Sequence, residues 1–266
     1  MKEERVVSFS GGKDSTALIL HLKEQGIEHQ TVFCDTGWEH QITTDYIEYI
    51  NETILNGELI TLVHKRFPKG MREMVKFYKQ VPNARFRSCT GILKVQPMMQ
   101  WLKTQEIEIV YQGIRAEEST KRAQMDKREF NKDYDAYIER PLMDWKAQDV
   151  FDIHKKHDIK PNPLYLKGAE RVGCFPCIMI NHREIKNTRD EFPEIWENME
   201  ELEKLSGGYF FGAGYIPKRY QTGENKKGQK IPTIDDVKKY LETPESLGQL
   251  SFMPPQKCMS VYNLCE

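Results

Sequence analysis

Apolar positions recur along this chain with two periods, and the two alternate. Arg5 to Phe9 (RVVSF) is a short apolar run ending in a glycine turn, which reads as a buried strand. From Thr16 to Gln25 the spacing is helical, with Ala17, Leu18, Leu20 and Leu22 on the apolar side, until Gly26 stops it. Gln30 to Cys34 reads as a second strand, Tyr46 to Leu55 as a helix and Glu58 to Val63 as a third strand. Pro97 to Gln105 is helical, Glu106 to Gly113 is a strand that again ends in glycine, and Ala147 to His157 is a helix. Strands alternating with helices predict an α/β fold, a doubly wound parallel sheet covered on both faces, over residues 1–157. Ligands of such sheets bind at the carboxyl ends of the strands. The glycine turn after the first strand, Asp35 and Gly113 should all lie there.

After about Asp158 the texture changes. Prolines cluster at 161, 163, 176 and 193, and four of the six cysteines appear. Glu191 to Leu205 is one amphipathic helix, while 207–214 (GGYFFGAG) and 223–228 read as loops, the first with aromatic packing. Residues 158–266 are therefore expected to form a small Cys-rich C-terminal subdomain, organised around something other than a large apolar core. No internal repeat or low-complexity segment is present in the sequence.

Composition sets limits on this picture. Hydrophobic residues at 39% and charged residues at 30% fit a folded protein rather than a disordered one. A net charge of -1 offers no global field for nucleic acid. The basic stretches Lys121–Lys132 and 217–230 are read as solvated loops that could still hold such a partner. No apolar h-region follows the N-terminus and no run approaches the roughly 20 residues that span a bilayer, so a cytoplasmic protein without membrane association is expected.

The chemistry concentrates in two places. The first is Ser10-Gly11-Gly12-Lys13-Asp14-Ser15 between the first strand and the first helix. Two glycines let the backbone turn tightly and come close to a ligand, and the N–H groups and dipole of the following helix favour an anion. Lys13 adds a full charge, and Ser10 and Ser15 add hydroxyls. The spacing is not that of a Walker A loop. The second is Cys174-Phe-Pro-Cys177, whose spacing suits zinc, an iron–sulfur cluster or a redox dithiol. Cys89, Cys258 and Cys265 are the further ligand candidates, and Cys34 reads as a buried small hydrophobe. His154 and His157 read as a solvated helix face, and Glu117, Asp235 and Asp236 as solvated carboxylates.

SGGKDS resembles the pyrophosphate loop (PP-loop) of the adenine-nucleotide α-hydrolase-like superfamily. Other segments follow in the same order. Cys34-Asp35-Thr36-Gly37 resembles the D-T-G segment beside the nucleotide. Cys89 with Lys94 and Pro97 is similar to the C-x-x-x-x-K-x-x-P segment of the phosphoadenosine phosphosulfate (PAPS) reductase family. Gly113, Arg115, Glu118, Ser119 and Arg122 match G-x-R-x-x-E-S-x-x-R. Arg140 to Val150 and Asn162 to Cys177 resemble P-L-x-D-W-x-x-x-D-V and N-P-L-Y-x-x-G-x-x-x-x-G-C-x-x-C. The chain is thereby identified as a PAPS-reductase-family member over residues 8–177.

The resemblance implies a nucleotide-binding set of Ser8, Ser10, Gly11, Gly12, Lys13, Asp14, Ser15, Asp35, Gly113, Arg115, Glu118 and Arg122. It implies catalytic roles for Lys13, Cys89 and Cys265. It also implies a [4Fe–4S] cluster, with zinc as the alternative, drawn from Cys89, Cys174, Cys177, Cys258 and Cys265. In cluster-containing members a Cys-Cys pair stands where Ser88-Cys89 stands here, so the fourth ligand stays open. Two reactions fit the resemblance. One is ATP cleavage between the α and β phosphates, with Mg2+, coupled to sulfur transfer onto an acceptor such as a nucleic acid. The other is reduction of APS or PAPS to sulfite with a thiol carrier. A nucleotide-sensing module with a structural metal is the reading from a different class. Acceptor, sulfur donor and oligomeric state, a homo-oligomer included, stay open.

Overall fold

A computed structural model describes residues 4–83, 86–244 and 246. The chain opens with strand β1 (Glu4–Phe9), helix α1 (Lys13–Glu24), β2 (Gln30–Cys34), α2 (Gln41–Thr53), β3 (Leu59–Leu62) and α3 (Met71–Tyr78). A helical run follows in three pieces: α4 (Ser88–Thr90), a π-helical turn (Gly91–Val95) and α5 (Gln96–Leu102). Next come β4 (Ile107–Gln112), α6 (Thr120–Ala123), β5 (Arg128–Asn131), β6 (Ala136–Glu139) and α7 (Ala147–Lys156). The chain continues through α8 (His182–Thr188), α9 (Glu194–Ser206), the short strands β7 (Gly223–Glu224) and β8 (Lys230–Ile231), and α10 (Ile234–Leu241).

The main sheet has the order β3-β2-β1-β4-β6-β5. Its first five strands are parallel, and β5 adds to the edge antiparallel to β6. The expected α/β architecture is thus present, with one antiparallel addition. The basic stretch read as a loop contains that strand. Arg128↔Glu139 and Phe130↔Tyr137 face each other across the hairpin, and both aromatic rings are half exposed, so the segment lacks the apolar alternation that marks a buried strand.

One face of the sheet is covered by α1, α2 and α7, whose Leu18, Leu22, Ile47, Ile50 and Val150 meet Val7, Phe9 and Phe33. The other face is covered by α5, whose Met98 and Leu102 lie on Val6, Val32 and Val110. Helix α1 is buried almost all round, from Ser15 to Leu20 and at Leu22, because it lies between the sheet and α7.

The second half departs from expectation. A third apolar cluster joins Trp38, Phe67, Met71, Met74 and Leu93 from the first half to Phe175, Ile195, Leu202, Phe210, Val237 and Tyr240 from the second. The region beyond 157 therefore does have a substantial apolar core, and that core crosses the expected boundary. Helices α3, α8 and α10 escaped the sequence reading because they are short, at 7 or 8 residues, so each shows barely two turns of apolar periodicity. Asp236, read as solvated, is buried: it accepts from the Thr222 and Thr233 N–H groups and caps α10. Cys258 and Cys265 lie outside the described residues.

Candidate active site

The loop after β1 is shaped by its own side chains. Gly11 has φ +71°, and a Cβ there would stand 2.9 Å from Ile47 Cγ1. The Ser10 N–H donates to Ser15 Oγ (3.3 Å), the two hydroxyls lie 3.1 Å apart, and Ser15 Oγ donates to the Gly12 carbonyl (3.0 Å). Gly12 is the N-cap of α1 and has no side chain to cap it. No capping side chain takes the first-turn N–H donors of that helix, the ends to which anions bind, and of these donors the Lys13 N–H goes to Tyr165.

Three side chains from later in the chain brace this loop. Asn162 Nδ2 donates to the Gly11 carbonyl (3.1 Å), the Lys13 N–H donates to Tyr165 Oη (3.2 Å), and His154 Nε2 stands 2.9 Å from the Lys13 carbonyl. His154, read as solvated, is fully buried beneath the loop. Its neighbour His157 stays near the surface and meets Glu24.

Charge in the loop is balanced through a relay. Lys13 Nζ lies 3.4 Å from Asp14 Oδ2 and 4.6 Å from the centre of the Tyr165 ring. Asp14 Oδ1 accepts from Arg115 Nε at 2.5 Å. Arg115 also donates to Glu117 (2.7 Å), whose carboxylate accepts the Ala147 N–H (2.8 Å). Burial works to remove the Lys13 proton, but Tyr165 and Asp14 outweigh it and hold the ammonium above its ordinary range. Burial also opposes the Asp14 charge, yet Lys13 and Arg115 hold its carboxyl below the usual range.

The loop opens into a cavity of about 280 Å³. Ser10, Gly12, Lys13, Asp14, Ser15, Gly113, Glu118 and Arg122 line it, as do Cys89, Cys174 and Cys177. Arg115 does not; its guanidinium is spent on the carboxylates behind the loop. Arg122 pairs with Glu118, which also accepts the Arg115 N–H. Gly113 makes the approach of β4 to the loop: a Cβ there would stand 2.8 Å from the Asp14 carbonyl oxygen. Ser8 is exposed on β1, and Asp35 accepts the Gly37 N–H (2.7 Å); neither lines the cavity. Arg87, Lys94 and Arg171 do line it and were not nominated from the sequence. Arg87 and Arg171 form no ion pair among the described residues. Lys94 could have been found from the quoted C-x-x-x-x-K segment, whereas nothing in the sequence singles out Arg171.

The cysteine turn is joined to the end of β2. Glu39 and Cys174 form an isolated antiparallel bridge, the Phe175 N–H donates to the Trp38 carbonyl (2.8 Å), and Trp38 Nε1 donates to the Pro176 carbonyl (3.0 Å). Cys174 Sγ lies 3.4 Å from Thr36 Oγ1. Burial pushes the Cys174 thiol up to about 11, against the pull of the nearby Lys94 ammonium. Burial likewise raises the thiols of Cys89 and of Cys34, the latter to about 11. Cys34 packs against the apolar cluster on the α5 face of the sheet, as its reading as a small hydrophobe expects, and its Sγ also donates to the Lys94 carbonyl (3.4 Å).

Three thiols thus border one cavity. Among the described residues, however, no three His, Cys, Asp or Glu side chains are gathered closely enough to hold a metal ion. Cys174 is engaged by Thr36 and Lys94, and the Met179 N–H donates to Cys177 Sγ (3.5 Å). The described residues do not assemble the expected cluster or zinc site.

A family model for the phosphoadenosine phosphosulfate reductase domain matches residues 4–180. The chain belongs to that family. It is 28% identical to an uncharacterised 37.8 kDa protein of Escherichia phage 186, with 80% of each chain covered. It is 26% identical to an adenosine 5'-phosphosulfate reductase of Staphylococcus haemolyticus, over 74% of this chain and 78% of that one. It spans about half the length of two Methanocaldococcus jannaschii proteins that it also matches. The crystal structure of a PAPS reductase from Candida auris shares the fold, with a TM-score of 0.53 and 16% identity over 65% of this chain and 82% of that one. This family member is an enzyme of the α/β nucleotide-binding type. No helix among its described residues is long and apolar enough to cross a membrane.

Proposed function

We propose that this enzyme binds ATP with Mg2+ at the SGGKDS loop, cleaves it between the α and β phosphates, and couples that cleavage to sulfur transfer. An acceptor oxygen attacks the α-phosphorus and pyrophosphate leaves. A sulfur nucleophile from a thiol or persulfide donor then attacks the adenylated acceptor, forming the C–S bond as the C–O bond breaks and AMP departs. Lys13 and the uncapped first turn of α1 would hold the leaving pyrophosphate, and Arg87, Arg122 and Arg171 would take the remaining charge.

The observation that carries this reading is the intact loop. Lys13 is held charged beside an uncapped helix N-terminus, in the same cavity as three cysteines. In this reading one of Cys89, Cys174 and Cys177, which line that cavity, would serve as the sulfur-handling thiol. Were the substrate APS or PAPS instead of ATP, Cys265 would be the first candidate for the attacking nucleophile.

A second reading is favoured by the match to an adenosine 5'-phosphosulfate reductase. In it, a thiolate attacks the sulfate sulfur of APS or PAPS, the nucleotide leaves, and a second thiol releases sulfite as a disulfide forms. Competitive binding on anaerobically purified protein separates the two. ATP with Mg2+ is expected to bind tighter than APS or PAPS. The opposite order would replace the first reading by the second.

A further inference from the structure

A second, larger cavity of about 880 Å³ lies beside the first, and Ile178 of the cysteine turn lines both. Its floor is the Gly207–Tyr215 loop, in which Gly212 and Gly214 leave open space above the backbone. One wall is the end of α3, with Tyr78 half exposed and Lys79 in the left-handed region at φ +51°. The opposite wall is the β7–β8 hairpin with Lys226 and Lys227. That hairpin is fixed: the Asn225 N–H donates to the Gln229 carbonyl (3.0 Å), Asn225 Oδ1 accepts the Lys227 and Gln229 N–H groups, and Tyr209 Oη donates to the Glu224 carbonyl (3.2 Å).

Charge and aromaticity are arranged together here. Lys79, Lys226 and Lys227 are exposed and pair with no carboxylate among the described residues, and Glu224 is the sole acidic side chain of the lining. The pattern continues outside the cavity. Tyr78 meets Phe77 edge to face (5.0 Å), Phe77 is 51% exposed, and the Arg66 guanidinium lies 4.1 Å from its ring centre. Arg66, Phe77, Tyr78 and Lys79 therefore form a cluster of cations and half-exposed rings, and Tyr78 and Lys79 line the same cavity as the two hairpin lysines.

We infer that this surface binds an unpaired stretch of nucleic acid, with phosphates on the lysines and bases stacked on the exposed rings. A lone small metabolite would have no use for the groups beyond the cavity. An extended polyanion with π-faces uses all of it. A duplex keeps its bases stacked on each other and cannot offer them to Tyr78 or Phe77. The position next to the cysteine turn would bring one nucleotide toward the first cavity. The role of that strand as sulfur acceptor rests on the adenylation reading above; its binding does not.

The test is fluorescence anisotropy with labelled single strands of about twelve nucleotides, one DNA and one RNA, and a duplex of the same sequence. Binding is expected to at least one single strand, tighter than to the duplex, and the stronger of the two identifies the natural class. The K226A/K227A protein should bind more weakly, with its log–log salt slope shallower by about 1.4. Tyr78→Ala should weaken binding about fivefold or more. No binding to either strand, a preference for duplex, or affinities that the substitutions leave unmoved would each overturn the inference. ATP affinity measured on the same samples keeps the two proposals apart. Strand binding without ATP binding faults the nucleotide reading alone, and the reverse faults this one alone.

Discussion

Replacing Arg115 by alanine tests whether the phosphate loop is held in place by the charge relay behind it. The Arg115 side chain is 5% exposed and that of Asp14 14% exposed, with 2.5 Å between them. Removing one partner of a buried ion pair typically costs about 3–5 kcal/mol, because the other charge is stranded. Asp14 keeps Lys13 at 3.4 Å as a second cation, and Glu117 is half exposed, so the lower end, about 3 kcal/mol, is the appropriate value. For a chain of 266 residues, each kcal/mol moves Tm by about 2–4 °C, which gives a fall of about 6–12 °C. The functional effect is separate. With Arg115 gone, Asp14 has only Lys13 to satisfy it and draws the ammonium away from a phosphate. About a tenfold loss of nucleotide affinity corresponds to about 1.4 kcal/mol.

Thermal unfolding and nucleotide titration read the two effects independently. The D14N/R115A double variant strands no carboxylate, so it should lose less stability than the sum of the single variants, by about 1 kcal/mol. A Tm within about 2 °C of the parent, together with unchanged nucleotide affinity, would refute the relay.

Other substitutions probe neighbouring parts. Lys13→Ala is expected to abolish nucleotide binding, read by titration calorimetry; unchanged affinity would remove the basis of both proposed reactions. Gly113→Ala drives a methyl to 2.8 Å from the Asp14 carbonyl oxygen. It should lower nucleotide affinity at least tenfold by pushing the first turn of α1, and an affinity equal to the parent's would show that the turn gives way freely. His154 has its proton affinity lowered by burial, so near pH 6 the unfolded chain binds more protons than the folded one. The stability it confers is present above the ordinary histidine range and is lost as pH falls through that range. Urea denaturation of H154Q should show a flatter fall between about pH 7.5 and 5.5. An unchanged slope would assign the proton uptake to His21, His29 or His182, which burial shifts in the same direction.

The strand–loop–helix unit at Arg5–Gln25 was legible because its apolar residues all face a core and its turn residues are glycines. The order of the sheet was legible as a class, since alternating periods leave few topologies. Contacts between distant segments were not. Nothing at position 154 distinguishes a histidine that supports the Lys13 carbonyl from one on a solvated face; its neighbours Lys155 and Lys156 point the reading outward, while the helix phase places His154 beneath the loop. Arg115 was read as a phosphate grip because arginines serve that purpose so often. Only the fold shows that Asp14 and Glu117 reach it first. The third apolar cluster was missed because Trp38, Met74 and Leu93 lie in a loop or in short helical segments, and the cluster joins them to residues from 164 onward.

The division at residue 157 follows the texture of the sequence but not the mechanics of the site. The loop is held from beyond that division as well as from before it: the Gly11 carbonyl by Asn162 and the Lys13 N–H by Tyr165, with His154 of α7 beside the Lys13 carbonyl. The cysteine turn in return hangs on Trp38 and Glu39, the direct extension of β2. A phosphate arriving at α1 competes with Tyr165 for the Lys13 N–H. Tyr165 belongs to the same segment that runs through Gly168 into Cys174. Displacing that one hydroxyl therefore changes what holds the segment leading to the thiols, and nucleotide occupancy and thiol position draw on the same contacts. The proposed coupling of nucleotide cleavage to sulfur transfer would act through these shared contacts.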